Sequence, residues 1–158
     1  MWKKWKPYII SVAIALGVGA LAAFFTRNSM DIYGALNQPP LAPPSWIFPV
    51  VWIILYTLMG ISSAMVWIKG EGNGIDTTFP LKIYTVQLVF NFLWSIVFFN
   101  LRWYLFAYIW LMLLWVLIIV MIVQFRRISR IAGNLQIPYL LWVTFASYLN
   151  LMIYILNR

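Results

Sequence analysis

The chain predicts an all-α fold, a polytopic membrane protein built as a five-transmembrane-helix bundle, and three observations carry that reading. Hydrophobic residues make up 65% of the 158 positions and charged residues only 9%, where a soluble domain carries roughly a quarter charged residues. Mean hydropathy is strongly positive. Apolar runs of the roughly 20 residues that a bilayer-spanning helix needs recur along the chain, at about 7–26, 47–68, 79–100, 103–125 and 137–156. Nothing marks off a soluble module, so residues 1–158 read as a single transmembrane domain.

The first span follows Lys3, Lys4 and Lys6 and stops before Arg27. It is too long for a signal-peptide core and has no convincing cleavage site, so it reads as a retained helix. A loop containing Pro39, Pro40, Pro43, Pro44 and Pro49 leads into the second. Proline fixes φ and lacks an N–H, so this segment is stiff, extended and unable to continue a helix on either side. Such a rigid, aromatic-rimmed loop suits a fixed lid over something bound between helices. The second span is expected to stop at Lys69-Gly70-Glu71-Gly72-Asn73-Gly74, read as a flexible turn. Only Leu101-Arg102 separates the third from the fourth, a tight helical hairpin. The fifth follows Arg126-Arg127-Ile128-Ser129-Arg130 and a Gly133-Asn134 break.

Charge sets topology and excludes chemistries. Lys3, Lys4, Lys6, Lys69, Lys82, Arg126, Arg127 and Arg130 share the amino-terminal side, against Arg27, Arg102 and Arg158 opposite. The imbalance predicts a cytoplasmic N-terminus and an outer-face proline loop. The formal charge of +8 then reflects topology and anionic lipid headgroups. Basic residues dispersed among spans give no nucleic-acid footprint. The acidic residues Asp31, Glu71 and Asp76 all read as loop residues. There is no cysteine and no histidine, which excludes disulfides, thiol nucleophiles, Cys/His zinc sites and Ser-His-Asp chemistry. No metal site and no cofactor is expected.

Ten tryptophans fall into two groups. Trp2, Trp5, Trp46, Trp67 and Trp103 sit at span ends, where the indole joins the headgroup belt. Trp52, Trp94, Trp110, Trp115 and Trp142 lie deeper, and an indole N–H in hydrocarbon needs an acceptor, so some of them should face the bundle interior. In the third span Gln87, Asn91 and Ser95 repeat every four residues, with Tyr84 about one turn earlier, all on one helical face. Two accounts fit that stripe: hydrogen bonding between helices, or the polar lining of a ligand pocket. In the fifth, Pro138, Tyr139, Trp142, Ala146 and Asn150 share a broad face. A cavity between the two faces suits a flat, largely apolar ligand with a few polar edges. Ala15, Gly19 and Ala23 in the first span allow close helix approach, either inside the subunit or in a homodimer. Leu151, Tyr154 and Arg158 match the loose sterol-contact pattern.

These residues resemble the tryptophan-rich sensory protein family, also called translocator protein or peripheral benzodiazepine receptor (TspO/MBR). The resemblance rests on Pro39, Pro43-Pro44, Phe48-Pro49, Trp52 and Leu55-Tyr56. It continues through Asn91 with Trp94, Pro138-Tyr139-Leu140-Leu141-Trp142, and Phe145-Ala146-Ser147-Tyr148-Leu149-Asn150. Leu41 departs from it, standing where the family often has tryptophan. The resemblance implies a bundle, commonly dimeric, with a pocket under the first loop for porphyrins such as protoporphyrin IX, sterols, or isoquinoline and benzodiazepine drugs. Carried across, it implies a ligand site of Tyr33, Pro43, Pro44, Trp52, Asn91, Trp94, Ser95, Trp142, Ala146 and Leu149. It also implies placement in a membrane, here a bacterial inner membrane.

Three functions are weighed. The first is a receptor or sensor for a tetrapyrrole, with Arg27 a candidate propionate partner. The second is light-dependent porphyrin breakdown, which the resemblance implies for some relatives, with Trp52 and Trp142 as catalytic candidates. Conventional acid–base chemistry is poorly supplied, because no span contains a carboxylate or histidine. The third is facilitated passage of a lipophile, since ion-coupled transport normally uses buried charges and internal repeats.

Overall fold

The computed structural model describes residues 2–158. Helix α1 spans Trp2–Thr26, a single 3₁₀ turn covers Arg27–Ser29, and α2 follows over Met30–Gly34. Helix α3 is Ile47–Asn73 and α4 is Thr78–Ser95, extended by a π-helical turn at Ile96–Asn100. Helix α5 runs Tyr104–Ile128, the short α6 Arg130–Asn134, and α7 Ile137–Asn157. Five stretches are long and apolar enough to cross a membrane, and no strand occurs among the described residues.

Prolines open three of the spans. Pro49, Pro80 and Pro138 lie in the first turns of α3, α4 and α7, where the missing N–H has no intrahelical acceptor to lose. One expected boundary is wrong. Helix α3 does not stop at the glycine-rich stretch but continues through Lys69, Gly70, Glu71, Gly72 and Asn73, ending where Gly74 turns left-handed at φ +65. Gly70 is seated against Thr77, a contact that leaves no room for a side chain. Its carbonyl accepts the Ile75 N–H at 2.9 Å. Close packing therefore holds the end that composition alone reads as flexible. Two acidic residues move with these boundaries: Asp31 sits in the first turn of α2 and Glu71 inside α3. Only Asp76 is in a loop, where hydrogen bonds from the Thr78 side chain and backbone hold its carboxyl below its ordinary range.

Helix α1 packs along α3 and more lightly on α4, while α5 lies against α4, α6 and α7. Two of the three residues of the small-residue stripe of α1 are used inside the subunit. Ala15 is fully buried and Gly19 lies under the Tyr56 ring, whereas Ala13, Gly17 and Ala23 are exposed. The five span-end tryptophans are all exposed.

The proline loop is a pinned strap. Ala42 N–H bonds the Pro39 carbonyl at 3.2 Å, with Leu41 at φ +71, the left-handed position of a type II turn with Pro40 before it. At its start, the Asn37 N–H donates to Asn157 Oδ1 at 2.9 Å, and Asn157 Nδ2 returns a bond to the Asn37 carbonyl at 3.0 Å. Further along, the Tyr148 hydroxyl donates to the Pro40 carbonyl at 2.8 Å. The loop is thereby tied to α7 at two levels.

Candidate functional site

Under that strap, α3 and α7 meet through long aromatic side chains more than through close backbone packing. Trp52 and Trp142 cross at 89° with ring centroids 6.5 Å apart. Trp52 also lies against Tyr56 at 5.5 Å and Tyr139 at 6.4 Å. Phe48 meets Trp142 at 5.9 Å and Tyr33 at 6.3 Å. Tyr33 continues the cluster to Phe98 and Phe99, and Trp94 stacks on Phe98 at 5.3 Å. Edge-to-face pairs of this kind exploit the ring quadrupole. The result is one aromatic body joining α2, α3, α7 and the π turn after α4.

The amide stripe of α4 faces inward as expected, and its partners are now visible. Gln87 and Asn91 are 0% and 1% exposed. The Tyr139 hydroxyl donates to Gln87 Oε1 at 2.6 Å, and Asn91 Nδ2 donates to the Tyr139 oxygen at 2.8 Å. The Tyr56 hydroxyl donates to Asn91 Oδ1 at 3.0 Å. At this level the space between the faces of α4 and α7 is filled by a network linking α3, α4 and α7. Of the two accounts of the stripe, hydrogen bonding between helices is the one realised by Gln87 and Asn91. Ser95 donates to the Asn91 carbonyl of its own helix at 3.4 Å.

Tyr33, Trp52, Trp94 and Trp142 come together in the aromatic body, with Asn91 directly beneath Tyr56. Ala146 and Leu149 are buried on α7, and Trp94 Nε1 donates to Asn150 Oδ1 at 3.1 Å. Pro43 is partly buried and Pro44 exposed in the strap, while Pro138, expected on the inner face of α7, is exposed. Arg27 lies over the Phe24 ring at 3.9 Å and is exposed. Trp110 and Trp115 find acceptors in the Phe90 carbonyl and Thr144 Oγ1, each at 2.9 Å. Trp52 and Trp142 have no indole acceptor, and of the two it is Trp142 whose Nε1 is fully buried. Sequence reasoning missed the Asn37–Asn157 and Tyr148–Pro40 ties, because residues more than 100 positions apart leave no local signal.

These ties carry a prediction. Asn157→Ala and Tyr148→Phe together remove three hydrogen bonds to the strap, each contributing about 1 kcal/mol, so the pair should speed amide exchange in residues 35–46 on the order of 100-fold. Exchange mass spectrometry reads this directly, and an unchanged loop would show that the strap is held elsewhere.

A five-span helical membrane protein with a strapped aromatic seam between two of its spans is the class that fold and site define. The chain belongs to the TspO/MBR family, whose sequence profile matches residues 11–156. It is 37% identical over 153 residues to the tryptophan-rich protein TspO of Chlorobaculum tepidum, covering 94% of each chain. It is 35% identical to protein CrtK of Rhodobacter capsulatus, covering 95% of this chain and 90% of that one. Similarity extends to the translocator protein of Bos taurus, at 34% identity over 92% of this chain and 87% of the other.

Proposed function

We propose that the chain is a membrane receptor or sensor that binds porphyrins such as protoporphyrin IX, and related lipophiles such as sterols or isoquinoline and benzodiazepine drugs, in the seam between α3 and α7. One observation carries the reading: the Trp52–Trp142 pair, under the strap, with the buried Trp142 N–H unpartnered. A flat ring held between two indoles needs about 7 Å, twice a van der Waals contact, against 6.5 Å between the present centroids. Swinging one indole from perpendicular to parallel, with slight separation, makes that slot. Opening parts the two indoles, and the faces of the ligand then take the place of the neighbouring ring. The indole N–H gains an acceptor at a polar edge. Loop charge supports a cytoplasmic N-terminus, and the family likeness supports a bacterial inner-membrane location.

The test is a titration in the dark with protoporphyrin IX, following tryptophan emission corrected for porphyrin absorbance. Trp52→Phe and Trp142→Phe should each weaken saturable binding about three- to tenfold, the range of one aromatic pair. Unsaturable quenching, equal in all three proteins, would mean partitioning into detergent and sink the proposal. A second reading, light-dependent porphyrin breakdown, draws on the same two adjacent indoles. It fails if the double Trp52→Phe, Trp142→Phe variant consumes bound porphyrin under illumination at the wild-type rate.

A further inference from the structure

Away from the α3/α7 seam, three arginines surround one shallow hollow of about 330 Å³ where α5 meets α6. Its walls are Val123, Arg126, Arg127 and Arg130, so no acidic residue faces it. The chain's three acids sit on α2, on α3 and in the loop before α4. Sequence position accounts for part of this charge. Basic residues commonly flank spans, and Arg126 and Arg127 also suit the carbonyl-rich last turn of α5. Neither reason makes three guanidiniums line the same hollow. Two packing features do. Ser129 leaves the helix at φ −146, and its side chain caps α6 by accepting the Ala132 N–H at 3.3 Å. That break sets α6 against α5 and brings Arg130 beside Arg126 and Arg127. The Arg126 stem is seated on buried Gly133, a contact that leaves no room for a side chain at 133.

We infer that this hollow is a binding site for one phosphate group, carried by an anionic lipid headgroup or by a soluble phosphate. Like charges held around one space repel, and an anion between them turns that repulsion into attraction. The chemistry selects the anion. A carboxylate brings two oxygens and a single charge to three guanidiniums. A phosphate monoester brings three free oxygens and a charge of about −1.5 to −2, and the planar guanidinium fork pairs with such oxygens two at a time. Depth suits a headgroup as one source. Val123, 44% exposed, lies one turn before the arginines on α5, so the hollow has an apolar floor at the edge of the span. Basic pockets at span ends hold anionic headgroups in this way.

Native mass spectrometry of the purified full chain tests this with phosphatidic acid against phosphatidylcholine of matched acyl chains, and separately with inorganic pyrophosphate. Near a membrane surface each arginine is worth about fivefold in affinity for an anionic lipid. Arg130→Gln, at an exposed position beyond α5, should therefore lower retention of phosphatidic acid about fivefold, and Arg126→Gln with Arg130→Gln about 25-fold. Retention of phosphatidylcholine should not change. Lys3→Gln with Lys6→Gln removes as much charge from the side of the bundle where α5 ends, at residues that do not line the hollow. It should leave retention within about twofold of the wild type. An arginine-dependent pyrophosphate adduct that displaces the lipid assigns the site to a soluble phosphate. A lipid adduct that excess pyrophosphate leaves in place assigns it to a headgroup. Equal losses in the lysine and arginine variants, unchanged retention in the arginine variants, or no adduct with either probe overturns the inference.

Discussion

Gly60→Ala is expected to be the most damaging single methyl in the bundle, lowering the melting temperature in detergent by about 6–12 °C. The reason is backbone, not side chain. A Cβ at Gly60 would fall on the Val12 main chain of α1, 2.8 Å from its nitrogen and in still closer conflict with its Cα. A flexible side chain can step aside; a helix backbone moves only with the helix. Overpacking costs about 1–3 kcal/mol where side chains can adjust, and here the upper figure is the fair expectation. At about 2–4 °C per kcal/mol for a chain this size, that gives the shift. Separation of α1 from α3 also disturbs Gly19, over which the Tyr56 ring lies, and Tyr56 touches both Trp52 and Asn91. Porphyrin affinity should therefore fall together with stability. Gly17→Ala on the same helix, with nothing within 4 Å of its Cβ, serves as the control: alanine's higher helix propensity should keep the melting temperature from falling, and affinity should be unchanged. A Gly60→Ala variant that melts with the wild type would show that α1 and α3 are not locked at this crossing.

The parts of the molecule legible in the sequence are those that depend on local periodicity or on solvent. Apolar run length located all five spans because a bilayer leaves the backbone no other way to satisfy its hydrogen bonds. The four-residue spacing of Gln87, Asn91 and Ser95 gave their shared face for the same reason. What that face would meet was not legible. Its partners, Tyr56 and Tyr139, come from helices 35 and 48 residues away from Asn91, and only their packing shows that the hydroxyls complete the amides. The end of α3 was misread because three glycines in five residues argue for a turn when propensity is the sole guide. Of the three, Gly70 is there for its close contact with Thr77 and Gly74 for the left-handed turn that ends the helix. The clustering of Trp52 and Trp142 followed from the family resemblance. Their perpendicular crossing and the unpartnered Trp142 nitrogen required the fold.

Tyr139→Phe removes one oxygen and should cost about 1–3 kcal/mol, a drop of about 2–12 °C in melting temperature. The hydroxyl is both donor and acceptor: it bonds Gln87 Oε1 at 2.6 Å and receives Asn91 Nδ2 at 2.8 Å. Both amides are buried, so each loses a partner with no water to replace it. Single interhelical hydrogen bonds in membranes average only about 0.6 kcal/mol, which sets the lower bound if the amides find new partners. The upper bound applies if they do not. A second substitution separates these cases. Gln87→Leu in the Tyr139→Phe background removes one orphaned amide, and recovery of about half the lost stability would show that an unmet acceptor caused the loss. Gln87→Leu alone should be less harmful than Tyr139→Phe, since the Tyr139 oxygen keeps its bond from Asn91. The network also bears on the seam, because the Tyr139 and Tyr56 rings flank Trp52. Freed of its hydroxyl bonds, the ring at 139 can shift, so a Tyr139→Phe variant should bind protoporphyrin IX less tightly even at temperatures where it is fully folded. Equal stability and equal affinity in Tyr139→Phe would mean that the amides are satisfied from elsewhere and that the network does not brace the indole pair.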